Sequence, residues 1–269
     1  MENSLVKNGY KIIRNAIPKK LIRKLQVESL KAINGKSSGN LYKNFNLKLH
    51  NNLLSEYEFV RPINENLINK KIISEILFSK KVFNFTKNLI GSDLAYLDDN
   101  VITINTKKKA SNKLNYHFKE WHQEIWSGAD ISTLIFWLPI FQKNSLTGQI
   151  AFIKGSNKWG HIPHRNREPL NLPKKYSVYK TNLNLGDVAC FTSLTLHRTV
   201  PTEHNRLGLP ILVRNFKYQN NSFEKNKNWK IFSYSDLTKI ERYLGNHFLS
   251  PYRVIDQDLN LNDSILKNK

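Results

Sequence analysis

One cysteine, few acids and no long apolar run set the first limits on this 269-residue chain. The lone Cys190 excludes an intrachain disulfide and fits a reducing compartment, so a cytoplasmic location is expected. A membrane-spanning helix needs roughly 18 consecutive apolar residues. The longest apolar stretch, Leu134 to Phe141, falls far short and carries Pro139, so no membrane span is expected. The opening Met1-Glu2-Asn3-Ser4 has no apolar segment behind it of the kind a secretory signal needs. There is no internal repeat and no clear linker. Hydrophobic content is nevertheless 40%, with 5 Trp, 11 Tyr and 14 Phe. One domain over 1–269 with a large core is expected.

The shortage of acids leaves 42 Lys and Arg against 21 Asp and Glu, a net charge of +21. Such an excess first suggests nucleic acid or an anionic surface. The lysines are scattered, however, with one short run at Lys107-Lys108-Lys109, and Asn and Ile are abundant beside them. That pattern fits a general bias toward Lys, Asn and Ile, or the attraction of a small anionic substrate, better than a nucleic-acid groove. No patch of interleaved aromatic and basic residues stands out.

Periodicity divides the chain. Gly9 to Ile13 reads as a short strand, and Pro18 opens an amphipathic helix through Leu21, Ile22, Leu25, Leu30 and Ile33, stopped at Gly35. Residues 36–60 are polar and Asn-rich and read as irregular. Ile72 to Leu89 reads as helix. Beyond Ala95 the period changes to two. Strands are expected at Val101–Asn105, Trp121–Trp126, Ser132–Leu138, Gln149–Lys154, Val188–Leu196 and Leu209–Phe216. Polar loops are expected at Lys107–Lys119 and Asn157–Lys175, and a last helix at Asp236–Leu244. Helices followed by short strands argue an α+β fold with an antiparallel sandwich or barrel as its body. The expected division is a helical part over about 1–95, a β core over about 96–218 and a helical extension over about 219–269.

Within this frame His122-Gln123-Glu124 and the distant His197 stand out. On a strand, residues i and i+2 share a face, so His122 and Glu124 would project together. A second imidazole from His197 would complete a two-histidine, one-carboxylate face, which holds Fe(II) and leaves positions open. The triplet alone carries little weight, since about 0.6 His-x-acid triplets arise by chance at this composition. His204 is a rival to His197, but it follows Thr202-Glu203 in an apparent loop, whereas His197 ends an apolar strand.

The order of several motifs adds what the triplet lacks. Gly9-Tyr10-x-Ile12-Ile13-Arg14-x-x-Ile17-Pro18, Trp121-His122-Gln123-Glu124, Thr147-Gly148-Gln149-Ile150-x-Phe152-Ile153-x-Gly155-Ser156 and Leu185-Gly186-Asp187-Val188 leading to Phe191 and His197 occur in that sequence. Over roughly residues 9–217 the chain resembles the phytanoyl-CoA dioxygenase family of Fe(II)/2-oxoglutarate oxygenases. The resemblance implies a double-stranded β-helix, that is, a jelly-roll or cupin-like antiparallel sandwich, with flanking N-terminal helices. It implies Fe(II) held by His122, Glu124 and His197, where the family more often has Asp in place of Glu124. It implies 2-oxoglutarate and O2 as co-substrates and hydroxylation of an unactivated C–H of a small polar or anionic metabolite or sugar.

Further residues are implied by the same resemblance. Arg206, nine residues past His197, would anchor the far carboxylate of 2-oxoglutarate, with Arg214 as rival. Arginine's planar fork suits a carboxylate as lysine's point charge does not. Thr199 would support that end. Trp137 is either a wall of the cofactor pocket or a plain core indole. Asn105 would touch cofactor or substrate, or cap a strand. Gln123 has a family counterpart beside the iron, although on an ideal strand it would point away. His161 and His164 stand as substrate candidates against solvated loop histidines, and Cys190 as a small buried hydrophobe. A non-catalytic or nucleic-acid-binding protein on the same fold is the alternative; the oligomeric state is open. We expect no electrophoretic mobility shift of DNA or RNA by the protein at moderate salt; a salt-resistant shift would favour the nucleic-acid reading.

Overall fold

The computed structural model describes residues 4–52, 54–98, 102–105, 120–147, 149–165, 168–217 and 229–243. Contact density divides the chain into Met1–Phe232 and Ser233–Lys269. In chain order the first unit begins with helix α1 (Ser4–Asn8) and strand β1 (Tyr10–Ile13), followed by five helices. These are α2 (Lys19–Ala32), α3 (Leu41–His50), α4 (Glu56–Asn69), α5 (Ile72–Leu77) and α6 (Lys80–Ile90). Strands β2 (Leu94–Leu97), β3 (Thr103–Asn105), β4 (Leu134–Phe141) and β5 (Ile150–Ile153) follow. A two-strand hairpin, β6 (His164–Arg165) with β7 (Glu168–Pro169), precedes β8 (Val178–Lys180), β9 (Val188–Thr192), β10 (His197–Thr199), β11 (Arg206–Asn215) and β12 (Trp229–Ser233). The described part of the second unit carries α7 (Asp236–Tyr243). No described helix is long and apolar enough to cross a membrane.

A seven-stranded sheet runs β1-β9-β4-β11-β2-β12, with β3 also paired to β11, and a three-stranded sheet runs β10-β5-β8. The fold is mixed α+β with antiparallel sheets, as expected from the sequence. Alternation on the large sheet sorts its side chains onto two faces. Leu134, Phe136, Leu138 and Ile140 of β4, Val188 and Cys190 of β9, and Leu207, Leu209, Ile211 and Val213 of β11 join the core built with the helices. Ile135 and Trp137 of β4 and Ala189 and Phe191 of β9 turn the other way. They pack with Ile150 and Phe152 of the small sheet and with Tyr10, whose ring stacks on Phe152 at 4.6 Å. Both faces of β4 are thus covered, which is why it reads as an unbroken apolar run.

The segment 36–60 is not irregular, contrary to its polar composition. The Asn40 side chain accepts from the Lys43 N–H at 3.0 Å and starts α3, whose Leu41 and Phe45 lie one helical turn apart and are buried. Phe45 stacks on Phe141 of the sheet at 4.7 Å. Ser55 and Glu58 then form a reciprocal capping box that starts α4. The helix expected at Ile72–Leu89 is two helices, broken at Phe78 and Ser79. The expected strand Val101–Asn105 is seen as β3, with Val101 outside the described residues, as is the expected loop at 107–119. Strands also lie outside the expected β core: β1 and β12 both belong to the large sheet.

Phe45→Ala removes a fully buried ring between α3 and the sheet, and should lower stability by about 3–5 kcal/mol. Ser55→Ala removes one cap and should lower it by about 1 kcal/mol. Urea unfolding of the two variants beside the parent protein checks both the size and the ranking.

Candidate metal centre

His122 does not lie in an extended strand as its sequence suggests. It makes one bridge: its N–H donates to the His197 carbonyl at 3.0 Å, and the His197 N–H donates back at 3.0 Å. The chain then leaves the sheet in a 3-10 turn, Glu124–Ser127. Gly128, at φ 83°, reverses it in the left-handed region that glycine tolerates. His122 and Glu124 therefore meet because a bridge is followed by a tight turn, not through strand alternation.

The ring nitrogens are sorted by their partners. His122 Nδ1 lies 2.7 Å from the Glu120 carbonyl and His197 Nδ1 lies 2.9 Å from the Thr195 carbonyl. A carbonyl only accepts, so each Nδ1 carries its proton and donates. A neutral ring held in this way presents Nε2 as a lone pair. Both Nε2 atoms turn to the same carboxylate oxygen, Glu124 Oε1, at 3.5 Å from His122 and 3.3 Å from His197. The three potential ligand atoms lie within 4.8 Å of one another, and both histidines are buried. Bonds of about 2.0–2.2 Å to a common ion would place neighbouring donors about 3 Å apart. The set fits a divalent transition metal with little rearrangement, and the backbone carbonyls behind both imidazoles are the usual outer support of such a site.

Gln123 points elsewhere. Its Nε2 donates to the Gly160 and Leu194 carbonyls at 2.8 and 2.7 Å, and its Oε1 accepts from the Ile162 N–H at 2.9 Å. The fully buried amide thus ties the 160–162 segment and Leu194 together behind the triad. His197 rests on Phe191, ring centroids 4.4 Å apart, and Phe152 lies 6.3 Å away. The triad therefore stands over the apolar row between the two sheets.

The other expected residues lie along the same interior. Arg206 is 1% exposed, with its guanidinium carbon 4.6 Å from the Trp137 ring centre. Burial pushes its guanidinium down to about 9. Trp137 lies on β4 facing the small sheet, and its indole N–H reaches Thr103 Oγ1 at 3.4 Å. Gly208 makes this stacking feasible: a Cβ there would fall 2.2 Å from the Trp137 ring. Asn105 is opposite Arg206 in the β3–β11 register, and its amide donates to the Val200 carbonyl at 3.3 Å. Thr199 is two residues past His197 on β10, half-buried and paired with Ile150.

Other residues are placed apart from the triad. His204 is half-buried beside Lys143, 3.2 Å away. His161 and His164 are exposed, and His164 stacks on Trp126 at 4.4 Å. Cys190 is fully buried on the helix-facing side of β9, and burial pushes its thiol up. Arg214 is buried near the end of β11, over the Trp229 ring at 4.8 Å.

No protein-family model matches the sequence, and no curated protein matches it. Solved structures do. The chain is similar to the apo non-heme monooxygenase ThoJ over 99% of this chain and 98% of that one, with TM-score 0.59 and 14% identity. The ThoJ–Ni complex matches over 87% and 83%, with TM-score 0.55 and 15% identity. The epimerase SnoN, crystallised with Fe3+, alpha ketoglutarate and nogalamycin RO, matches over 79% and 81%, with TM-score 0.54 and 12% identity. The chain thus shares its fold with these structures and carries a His-Glu-His triad whose two imidazoles are buried.

The purified protein should bind one Co(II) or Ni(II) per chain by calorimetry. Glu124→Ala, which leaves two imidazoles without the carboxylate, should weaken that binding by at least about ten-fold, since loss of an outer support alone costs that much.

Proposed function

We propose that the protein is an Fe(II)- and 2-oxoglutarate-dependent oxygenase of the phytanoyl-CoA dioxygenase type, built on a jelly-roll body, that hydroxylates a small polar or anionic molecule. The observation that carries this is the convergence of two buried, Nδ1-anchored imidazoles on one partly exposed carboxylate. In this reading His122, Glu124 and His197 hold the iron, which supplies O2 activation coupled to decarboxylation of 2-oxoglutarate.

The chain's own residues bind, orient and exclude water. Arg206 takes the far carboxylate of 2-oxoglutarate. Its burial penalises the cation, and an anion alongside restores it. Trp137 holds the guanidinium plane from one side, and Thr199 offers a hydroxyl at the same end. Asn105 fixes the backbone that carries these residues through its bond to Val200. Ile135, Phe152 and Phe191 keep the interior beside the triad apolar, which limits water at the reacting centre. The substrate C–H would sit on the open side of the triad.

Purified protein with Fe(II), O2 and 2-oxoglutarate, without added substrate, should form succinate slowly, and Glu124→Ala should abolish this. Arg206→Gln should raise the 2-oxoglutarate concentration needed by at least about ten-fold, as expected for loss of a charge-assisted pair. If anaerobic Fe(II) and 2-oxoglutarate give neither a visible charge-transfer band nor any succinate, a binding protein on this fold becomes the better reading.

A further inference from the structure

The interior face of the large sheet carries two buried arginines. Arg206 and Arg214 both lie on β11 at even positions, opposite in facing to the core residues Leu207, Leu209, Ile211 and Val213. The register orders what lies between them. Leu212 pairs with Ile135, and Ile135 with Phe191, which forms the row beneath His197. Trp137, Ala189 and Pro210 form the next row toward Arg206, whose guanidinium reaches the Trp137 ring. Arg214 and Thr133 continue the alternation in the other direction, one repeat of roughly 7 Å beyond the His197 row.

That second end holds polar groups the fold leaves unused. Thr133 Oγ1, Ser193 Oγ and Arg214 Nε are buried with no hydrogen-bond partner among the described residues. Thr133 and Ser193 are fully buried, and Arg214 is 9% exposed. Val213 pairs with Leu134 and Leu134 with Thr192, so the next register step sets Arg214, Thr133 and Ser193 in one row of the backbone. The Ser193 N–H donates to the Thr133 carbonyl at 3.3 Å, and the Ser193 carbonyl accepts from the Ile125 N–H at 3.3 Å. Ile125 adjoins the ligand Glu124, so the cluster borders the triad directly. Trp229 flanks the Arg214 guanidinium as Trp137 flanks that of Arg206. Asp130 is the neighbouring carboxylate. It attracts Arg214, while its Oδ1 accepts from the Ser132 N–H and hydroxyl at 2.8 and 2.6 Å. Desolvation lowers the Arg214 pKa.

Buried hydroxyls and a guanidinium nitrogen without partners are uncommon, and three in one place mark a site completed from outside the chain. We infer that Arg214, Thr133 and Ser193 form an oxyanion site, on the side of the triad away from Arg206, that takes a carboxylate, phosphate or sulfate group of the substrate. Assignment of that anion to a substrate rests on the oxygenase reading; the anion site does not. It would hold the substrate by its charged group and leave the adjoining carbon skeleton over the triad.

The test is calorimetric titration of the full chain, loaded anaerobically with Fe(II) and 2-oxoglutarate, with acetate, phosphate and sulfate in turn. Ionic strength is held fixed with sodium chloride so that the general positive charge is screened. We expect saturable binding of at least one of these anions, at one per chain. Binding should be kept in Arg206→Gln and weakened by at least about ten-fold in Arg214→Gln and in the near-isosteric Thr133→Val. The Fe(II)–2-oxoglutarate absorption should be unchanged in the last two. Preference for acetate would indicate a carboxylic-acid substrate, and preference for phosphate or sulfate an esterified one. Absence of saturable binding, or equal binding in parent, Arg214→Gln and Thr133→Val, overturns the site. If the absorption band is missing in the parent while anion binding still depends on Arg214, the oxygenase reading fails and the anion site stands.

Discussion

Two backbone hydrogen bonds exchanged by His122 and His197, each 3.0 Å long, are the constraint on which the candidate metal centre depends. They set two imidazoles side by side, with ring centroids 4.1 Å apart, from chain segments far apart in sequence. Everything else at the centre refines this pairing. Carbonyls of Glu120 and Thr195 fix the tautomers, and the Gln123 amide locks the surrounding loops. Glu124 is delivered by a turn that the pairing itself launches. The imidazoles are thus held by the sheet, and the carboxylate by a loop. The longer reach of Glu over Asp suits a carboxylate whose backbone has already turned away.

The interior is arranged by alternation alone. A single choice of facing on β4, β9 and β11 sends one set of side chains to the helices and the other between the two sheets. The second set is apolar beneath His197 and cationic at both ends of β11. Both arginines are buried, where charge interactions are stronger than on the surface. The overall charge of +21 is a much weaker statement about ligands than the placement of these two buried arginines.

Much of this was legible in the chain, and the remainder was hidden for identifiable reasons. Strands β1, β4 and β9 and helix α2 declare themselves because each buries a regular apolar pattern. Helices α3 and α4 do not, since Asn-rich faces mask Leu41, Phe45 and the Ser55–Glu58 box; the cap residues themselves were readable. Strands β8, β10 and β12 are short and bury few side chains, so their pairing is decided by backbone partners and not by side-chain period. The triad residues were legible as an ordered set, but their local structure was not, because a single bridge followed by a turn has no period. Arg214 was visible as a charged residue on a strand; its unpartnered neighbours Thr133 and Ser193 gave no sequence signal at all.

The contact between Gly208 and Trp137 bears on how this interior can change over time. A side chain at position 208 collides with the indole unless position 137 has already become smaller. Loss of the indole first would in turn strip Arg206 of the surface it stacks on. The two positions are therefore mutually dependent, and single-step paths that reshape this part of the interior pass through a damaged intermediate. A lineage that entered this arrangement would tend to keep it.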